Sequence, residues 1–307
     1  MKKYSKISYF VFLAAIVFFF ACNQSKSSKN KETILKGSAT IYVDETLTPV
    51  IEDQVEIFEN KYEAKIKLIS KSEAETVNSL FREKSAIAIL SRTLTAEELQ
   101  VFEQKKIVPK ITMFATDAVA LISNKNNNDS IVALKDIISF MQGNAVPSIK
   151  GLVFDNPNSS TVRYMNSLAG IKAIPEKGVF SFKTNDEVIK YVSENEGMIG
   201  IVGVNWLSQP MPAMQKYVDN VNTLNVKGLE SEKAFAPTQN NIAERKYPLA
   251  RDLYIINCQG YSGLGMGFAS FVAGDIGQRI ILKSGLLPVR IPGRNITIRK
   301  NIENDKK

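Results

Sequence analysis

Ala86-Ile-Ala-Ile-Leu90 is an unbroken apolar run, and Ser91-Arg-Thr-Leu-Thr-Ala-Glu-Glu98 follows it directly. A run this short with no polar alternation reads as a strand covered on both faces. Thr95 with Glu98 three residues on is a capping box, the start signal of a helix. A doubly buried strand that hands over to a capped helix is the unit of an α/β fold with largely parallel sheets.

The same grammar repeats outward. Upstream, 65–70 is a strand, and Ser72-Glu-Ala-Glu75 is a capping box with Val77, Leu80 and Phe81 facing inward. Before it, 39–43 is a strand, and Ile51, Val55, Phe58 and Tyr62 share one helix face. Downstream come strands at 107–114 and 118–122, a polar break at 124–129, and a helix at 134–142 stopped by Gly143. Then follow a strand at 151–155, a helix opened by the turn ending at Thr161, a helix capped by Asn185, and a strand at 198–202. Tyr247-Pro-Leu-Ala-Arg251 precedes another strand, and 268–271 and 276–282 lie in closing helices that Gly285 terminates. The length favours two lobes. In such sheets ligands sit at the carboxyl ends of strands, where helices begin.

The N-terminus has its own reading. Lys2, Lys3 and Lys6 precede the apolar stretch Tyr9 to Ala21, and Cys22 follows. The stretch is short for a membrane span, which needs about 20 apolar residues, and has the layout of an export signal. Ala21-Cys22 looks like the end of a bacterial lipoprotein signal, which predicts cleavage after residue 21 and a lipid on Cys22. Residues 22–36, rich in Ser, Lys and Asn, read as a flexible tether, and 296–307 as a basic tail. The expected location is the outer side of a membrane, on an anchor.

Composition narrows the chemistry. The chain is 44% hydrophobic and 23% charged, ordinary for a globular protein. Its formal charge of +8 falls to +5 without the three signal lysines. The basic residues crowd the tether and the tail rather than forming a face interleaved with aromatics, so no nucleic-acid partner is expected. There is no histidine. That excludes a Ser-His-Asp triad, a Cys-His pair and an imidazole-bound metal. No catalytic group, metal or cofactor is expected. With Cys22 lipidated, Cys258 is the one remaining thiol, and its apolar neighbours mark it as structural.

Hydroxyl-rich turns stand beside the strands: Gly37-Ser-Ala-Thr40, Ser70-Lys-Ser72, Ser91-Arg-Thr-Leu94 and Asn158-Ser-Ser-Thr-Val-Arg163. Helix starts bind anions, because unpaired N–H groups and the helix dipole both favour negative charge. Each turn alone is explained by helix capping; together they point to a shared oxyanion pocket.

With these motifs the chain resembles the substrate-binding proteins of phosphate ABC transporters, over nearly all of its length after the signal. Gly37-Ser-Ala-Thr40 is similar to that family's opening Gly-Ser-x-Thr, and Asn158-Ser-Ser-Thr161 to its Ser-Gly-Thr helix start. Gly197-Met-Ile-Gly-Ile-Val-Gly203 resembles its Gly-x-Ile-Gly-Tyr strand, and Tyr247-Pro-Leu-Ala-Arg251 matches its most specific piece.

The resemblance implies a type II periplasmic-binding-protein fold: two lobes, a ligand cleft and two hinge crossings. Lobe 1 would hold 37–115 and 252–295, lobe 2 would hold 116–251, and Asp117–Leu121 and Tyr247–Tyr254 would cross the hinge. It implies a receptor that captures phosphate and passes it to an ABC permease. The contacts would come from Ser38, Thr40, Ser72, Ser91, Arg92, Ser159, Ser160, Thr161 and Arg163. The chain departs from the family at three places: Ser160 replaces a glycine, Asp155 stands where an arginine is found, and Arg92 stands where an aspartate accepts the proton of hydrogen phosphate. Whether Asp44, Asp117 or Asp155 takes over that acceptor role is open at this stage. So is the ligand, which could be sulfate, molybdate or a phosphorylated organic anion. An anchored sensor or adhesion protein with this fold is the further alternative.

Overall fold

Strand β1 (Lys36–Asp44) is flanked in one sheet by β2 (Glu63–Lys71) and β3 (Ile87–Leu90), all parallel. This computed structural model describes residues 32–83, 86–128 and 130–293. The predicted signal at 1–21, Cys22, the tether up to residue 31 and the tail at 296–307 lie outside the described residues.

The local reasons for the elements are those in the sequence. All four residues of β3 are fully buried, as a strand covered on both faces requires. Helix α1 (Thr48–Lys61) buries Ile51 and Phe58, and the Phe58 ring meets Phe268 and Phe271 edge-on at 5.4 and 5.3 Å. Ser72 and Glu75 cap α2 (Glu73–Arg82) reciprocally, and Thr95 and Glu98 do the same for α3 (Ala96–Gln104).

One long strand joins the lobes. The two strands expected at 107–114 and 118–122 are a single strand, β4 (Lys110–Asn124). Its first part pairs antiparallel with a later strand and its second part pairs antiparallel with another, so no break is needed between them. Beyond β4 come β5 (Ile131–Ala133), α4 (Leu134–Met141), β6 (Gly151–Phe154), α5 (Ser160–Ala169), β7 (Val179–Ser181), α6 (Asn185–Glu194) and β8 (Met198–Gly203). Short pieces follow: α7 (Asn205–Ser208), α8 (Gln215–Val218), β9 (Val221–Thr223), β10 (Asn225–Lys227), β11 (Ala234–Phe235) and α9 (Gln239–Ala243). The chain then returns through β12 (Ala250–Asn257) and closes with α10 (Leu264–Val272), α11 (Asp275–Lys283) and β13 (Leu287–Pro288).

The main sheet runs β2-β1-β3-β12-β4-β8-β6-β7. Each flank is parallel, as expected, but the centre is antiparallel: β12 opposes β3 and β4, and β4 opposes β8. The sheets are therefore mixed rather than largely parallel. A chain that crosses from one lobe to the other on β4 must come back on β12 in the opposite direction.

Two smaller expectations shift. The cap of α6 is Thr184, whose hydroxyl accepts from the Glu187 N–H, because the Asn185 side chain is buried and bonded elsewhere. Arg251 lies inside β12 rather than before it. Gly285 follows α11 at φ +82°, and a Cβ there would meet the Ser208 hydroxyl, so glycine is required on both counts. Cys258 is buried, and burial pushes its thiol up to about 12, as for an inert structural cysteine.

Candidate ligand-binding site

The carboxyl ends of β1 and β6 face each other across the lobes. β1 ends at Asp44, whose Oδ1 accepts from the Thr46 N–H at 3.2 Å and so turns the chain toward α1. β6 ends at Phe154, and Ser159 caps α5 by accepting from the Val162 N–H at 3.2 Å. Thr46 Oγ1 then lies 3.0 Å from Ser160 Oγ, a hydroxyl contact from one lobe to the other.

Arg251 underlies this contact. Its guanidinium donates to Ser160 Oγ at 3.0 Å and to Asp117 Oδ2 at 2.9 Å, with Thr46 Oγ1 at 3.5 Å. The Arg251 and Asp117 side chains are 3% and 0% exposed, a fully buried ion pair between β12 and β4. On the other side, the Thr46 carbonyl accepts from Asn205 Nδ2 at 3.2 Å and from Trp206 Nε1 at 2.9 Å. Ser159 donates to Asp155 at 2.5 Å, Asn185 donates to the other Asp155 oxygen at 3.1 Å, and Asn185 Oδ1 accepts from the Gly203 N–H.

Buried oxygen atoms are left over at this seam. Asp44 Oδ2, Glu45 Oε1, Asp117 Oδ1, Thr161 Oγ1 and Asn205 Oδ1 have no hydrogen-bond partner among the described residues. Such atoms are costly unless something supplies a partner. The carboxyls respond to burial. Asp44 is pushed up to about 6 by burial and by the charge of Glu73, against the pull of Arg251. Glu45 and Asp155 both rise to about 7, in each case chiefly by burial, with neighbouring carboxylates adding to it. Asp117 is raised by burial, with Arg251 opposing. Burial works against the charge of Arg251, but Asp117 and Asp44 outweigh it and its pKa rises.

A second cluster flanks the seam. Arg92 reaches Glu73 at 2.8 Å and holds Glu98 with two bonds of 2.7 and 2.8 Å. Arg163 on α5 also binds Glu73, through Nε and through a second bond at 2.9 Å. Ser91 donates to the same carboxylate at 3.4 Å. A cleft of about 590 Å³ opens beside them, between α2 and α5.

Of the residues expected at a ligand, Ser159, Ser160 and Thr161 stand at the seam, fully buried. Ser91, Arg92 and Arg163 gather on Glu73 beside it, and Ser72 caps the helix that Glu73 begins. Ser38 and Thr40 are not brought there. They lie six and four residues back along β1, paired with Lys65 and Lys67, which at about 3.3 Å per residue is roughly 20 and 13 Å from its cleft end. The opening Gly-Ser-x-Thr lies at the start of β1, away from this seam. The turn at the seam end of β1 is Asp44-Glu45-Thr46. Glu45, Thr46, Glu73 and Arg251 are not among the contacts expected from the sequence, which names Asp44 only as an open candidate for the acceptor.

Comparison with known proteins agrees with this architecture. A family model described as "PBP superfamily domain" matches residues 26–275. The phosphate-binding protein PstS of Borreliella burgdorferi is 24% identical over 304 residues, covering 93% of this chain and 99% of its own. Among solved structures, a Clostridium perfringens putative phosphate ABC transporter substrate-binding protein with bound phosphate matches with TM-score 0.67 at 23% identity, covering 83% of this chain and 100% of that one. An ABC-type phosphate transport receptor from Vibrio cholerae matches with TM-score 0.63 at 16% identity, covering 82% and 100%. The two structures share the fold, and with most of its length inside the family model, this chain belongs to the PBP superfamily.

Proposed function

We propose that this chain is an extracytoplasmic receptor that captures inorganic phosphate between its lobes and delivers it to an ABC importer. The observation that carries the reading is the Thr46–Ser160–Arg251 junction. Hydroxyls from both lobes and a buried guanidinium converge at the start of α5, where an anion also meets unpaired backbone N–H groups. The curated relative named as a phosphate-binding protein covers nearly the whole chain and supports the choice of ligand.

In this reading lobe 1 comprises 37–115 and 252–295, lobe 2 comprises 116–251, and β4 and the start of β12 carry the hinge. Closure brings Thr46 to Ser160 around the ligand. Thr161 Oγ1, unpartnered and buried, donates to it, and Asp44 or Asp155 accepts from it. A buried acceptor favours an oxyanion that still holds a proton and leaves fully ionised sulfate with an unpaired contact. Cys22 is the lipid attachment point, so the receptor works on a membrane tether; Cys22→Ser should stay unprocessed or leave the membrane fraction. No catalytic step is part of this reading.

Calorimetry against phosphate, sulfate and molybdate at pH 5 and pH 8 tests the assignment. Phosphate should bind at both values, and its preference over sulfate should be larger at pH 8, where Asp44 and Asp155 are ionised acceptors, than at pH 5, where they hold protons. Binding of molybdate or sulfate in preference to phosphate would move the receptor to that ligand, and heat from none of the three would remove the oxyanion reading.

A further inference from the structure

Glu73 stands among the groups that sequence reasoning reserved for an external anion. It is the first residue of α2, directly after the cap, so its carboxylate lies at a helix start. Arg92 approaches it from its own lobe at 2.8 Å, and Arg163 from the opposite lobe with two bonds, the second of 2.9 Å. Ser91 adds a hydroxyl at 3.4 Å. Two guanidinium groups, a hydroxyl and a helix N-terminus are the equipment of an oxyanion pocket. Here a carboxylate of the protein itself, only 2% exposed, fills it.

The two arginines are not held alike. Arg92 also grips Glu98 in a fork, so it stays in place if Glu73 lets go. Arg163 is 42% exposed, and among the described residues its ion pair is with Glu73 alone. The Glu73–Arg163 pair therefore fastens α5 to α2, which is to say lobe to lobe. Next to it the 590 Å³ cleft, which Asn78, Asn158 and Lys172 also line, leaves space for a carboxylate that has been pushed aside.

We propose that Glu73 is a resident anion: it holds the lobes together while the site is empty, and an incoming oxyanion competes with it for Arg163. This rests on the oxyanion-receptor reading given above. A ligand shifts a conformational equilibrium only by its differential affinity for the two states. A closed, empty state stabilised by Glu73 therefore lowers the apparent affinity for the ligand. An ordinary structural ion pair makes no such claim, since removing either partner would then act in the same direction.

Two variants separate these cases: Glu73→Gln, which keeps the shape and removes the charge, and Arg163→Met at a partly exposed position. In the whole protein without ligand, both should speed hydrogen exchange of the backbone amides at 44–47 and 159–163, measured by mass spectrometry. Affinity for inorganic phosphate, measured by calorimetry, should move in opposite directions: about tenfold tighter for Glu73→Gln and about tenfold weaker for Arg163→Met. Weaker binding in both variants, or unchanged exchange in Glu73→Gln, overturns the proposal. If wild type binds phosphate while Glu73→Gln alters neither readout, the receptor reading stands and the resident anion falls. If both variants exchange faster but neither they nor wild type bind phosphate, sulfate or molybdate, Glu73 is a lobe fastener and the oxyanion reading falls.

Discussion

Thr161 is the residue at which capping and binding separate most cleanly. The helix cap is Ser159, and Thr161 Oγ1 is buried with no partner among the described residues. Thr161→Val keeps the shape and removes a buried group that is costly when unpaired. The expected outcome is a ligand-free melting point equal to or above wild type and phosphate affinity reduced about tenfold; intact affinity would leave Thr161 as packing. Ser160, by contrast, already bonds Thr46 and Arg251, so its loss would mix stability with binding. The Ser159-Ser160-Thr161 turn was legible because it follows an apolar strand and opens a helix. Thr46 obeys the same rule, standing just past β1, and reading the strand to its end would have found it. Its partner was not legible, since Ser160 is 114 residues away and no local pattern encodes that meeting.

At the level of elements, strands, capping boxes and the order of helices could be read because each is decided by neighbours in sequence. The antiparallel centre could not, because nothing within 107–122 says that two different strands share β4. The Arg251–Asp117 pair is what that arrangement buries, and it joins β12 to β4 where the chain passes between lobes. Removing one member of a buried pair costs about 3–5 kcal/mol, because the other is left charged and dry. Arg251→Met should lower unfolding free energy in urea by that amount. Adding Asp117→Asn should recover a substantial part, since no unpaired carboxylate then remains. If the double variant is as unstable as the single one, the Ser160 and Thr46 contacts of Arg251 matter more than its ion pair.

For the whole molecule, the seam carboxyls make stability depend on pH in the direction opposite to an ordinary paired acid. Asp44, Glu45 and Asp155 keep their protons in the folded state to about pH 6–7, whereas the unfolded chain releases them near pH 4. The folded state binds more protons, so stability falls as pH rises through that window and levels off above it. For fully buried Asp44, a rise from 3.8 to about 6 corresponds to on the order of 3 kcal/mol. The ligand-free protein should therefore melt higher at pH 5 than at pH 8, and Asp44→Asn should narrow the difference by raising the pH 8 value. A melting point that rises from pH 5 to pH 8 would mean these carboxyls are ionised in the fold. The same seam carries its own optical gauge. Trp206 is the chain's single tryptophan, and its indole N–H is bonded to the Thr46 carbonyl in the facing lobe. Parting of the lobes must break that bond and wet the indole, so intrinsic emission reports opening directly, shifting to longer wavelength with no dye attached.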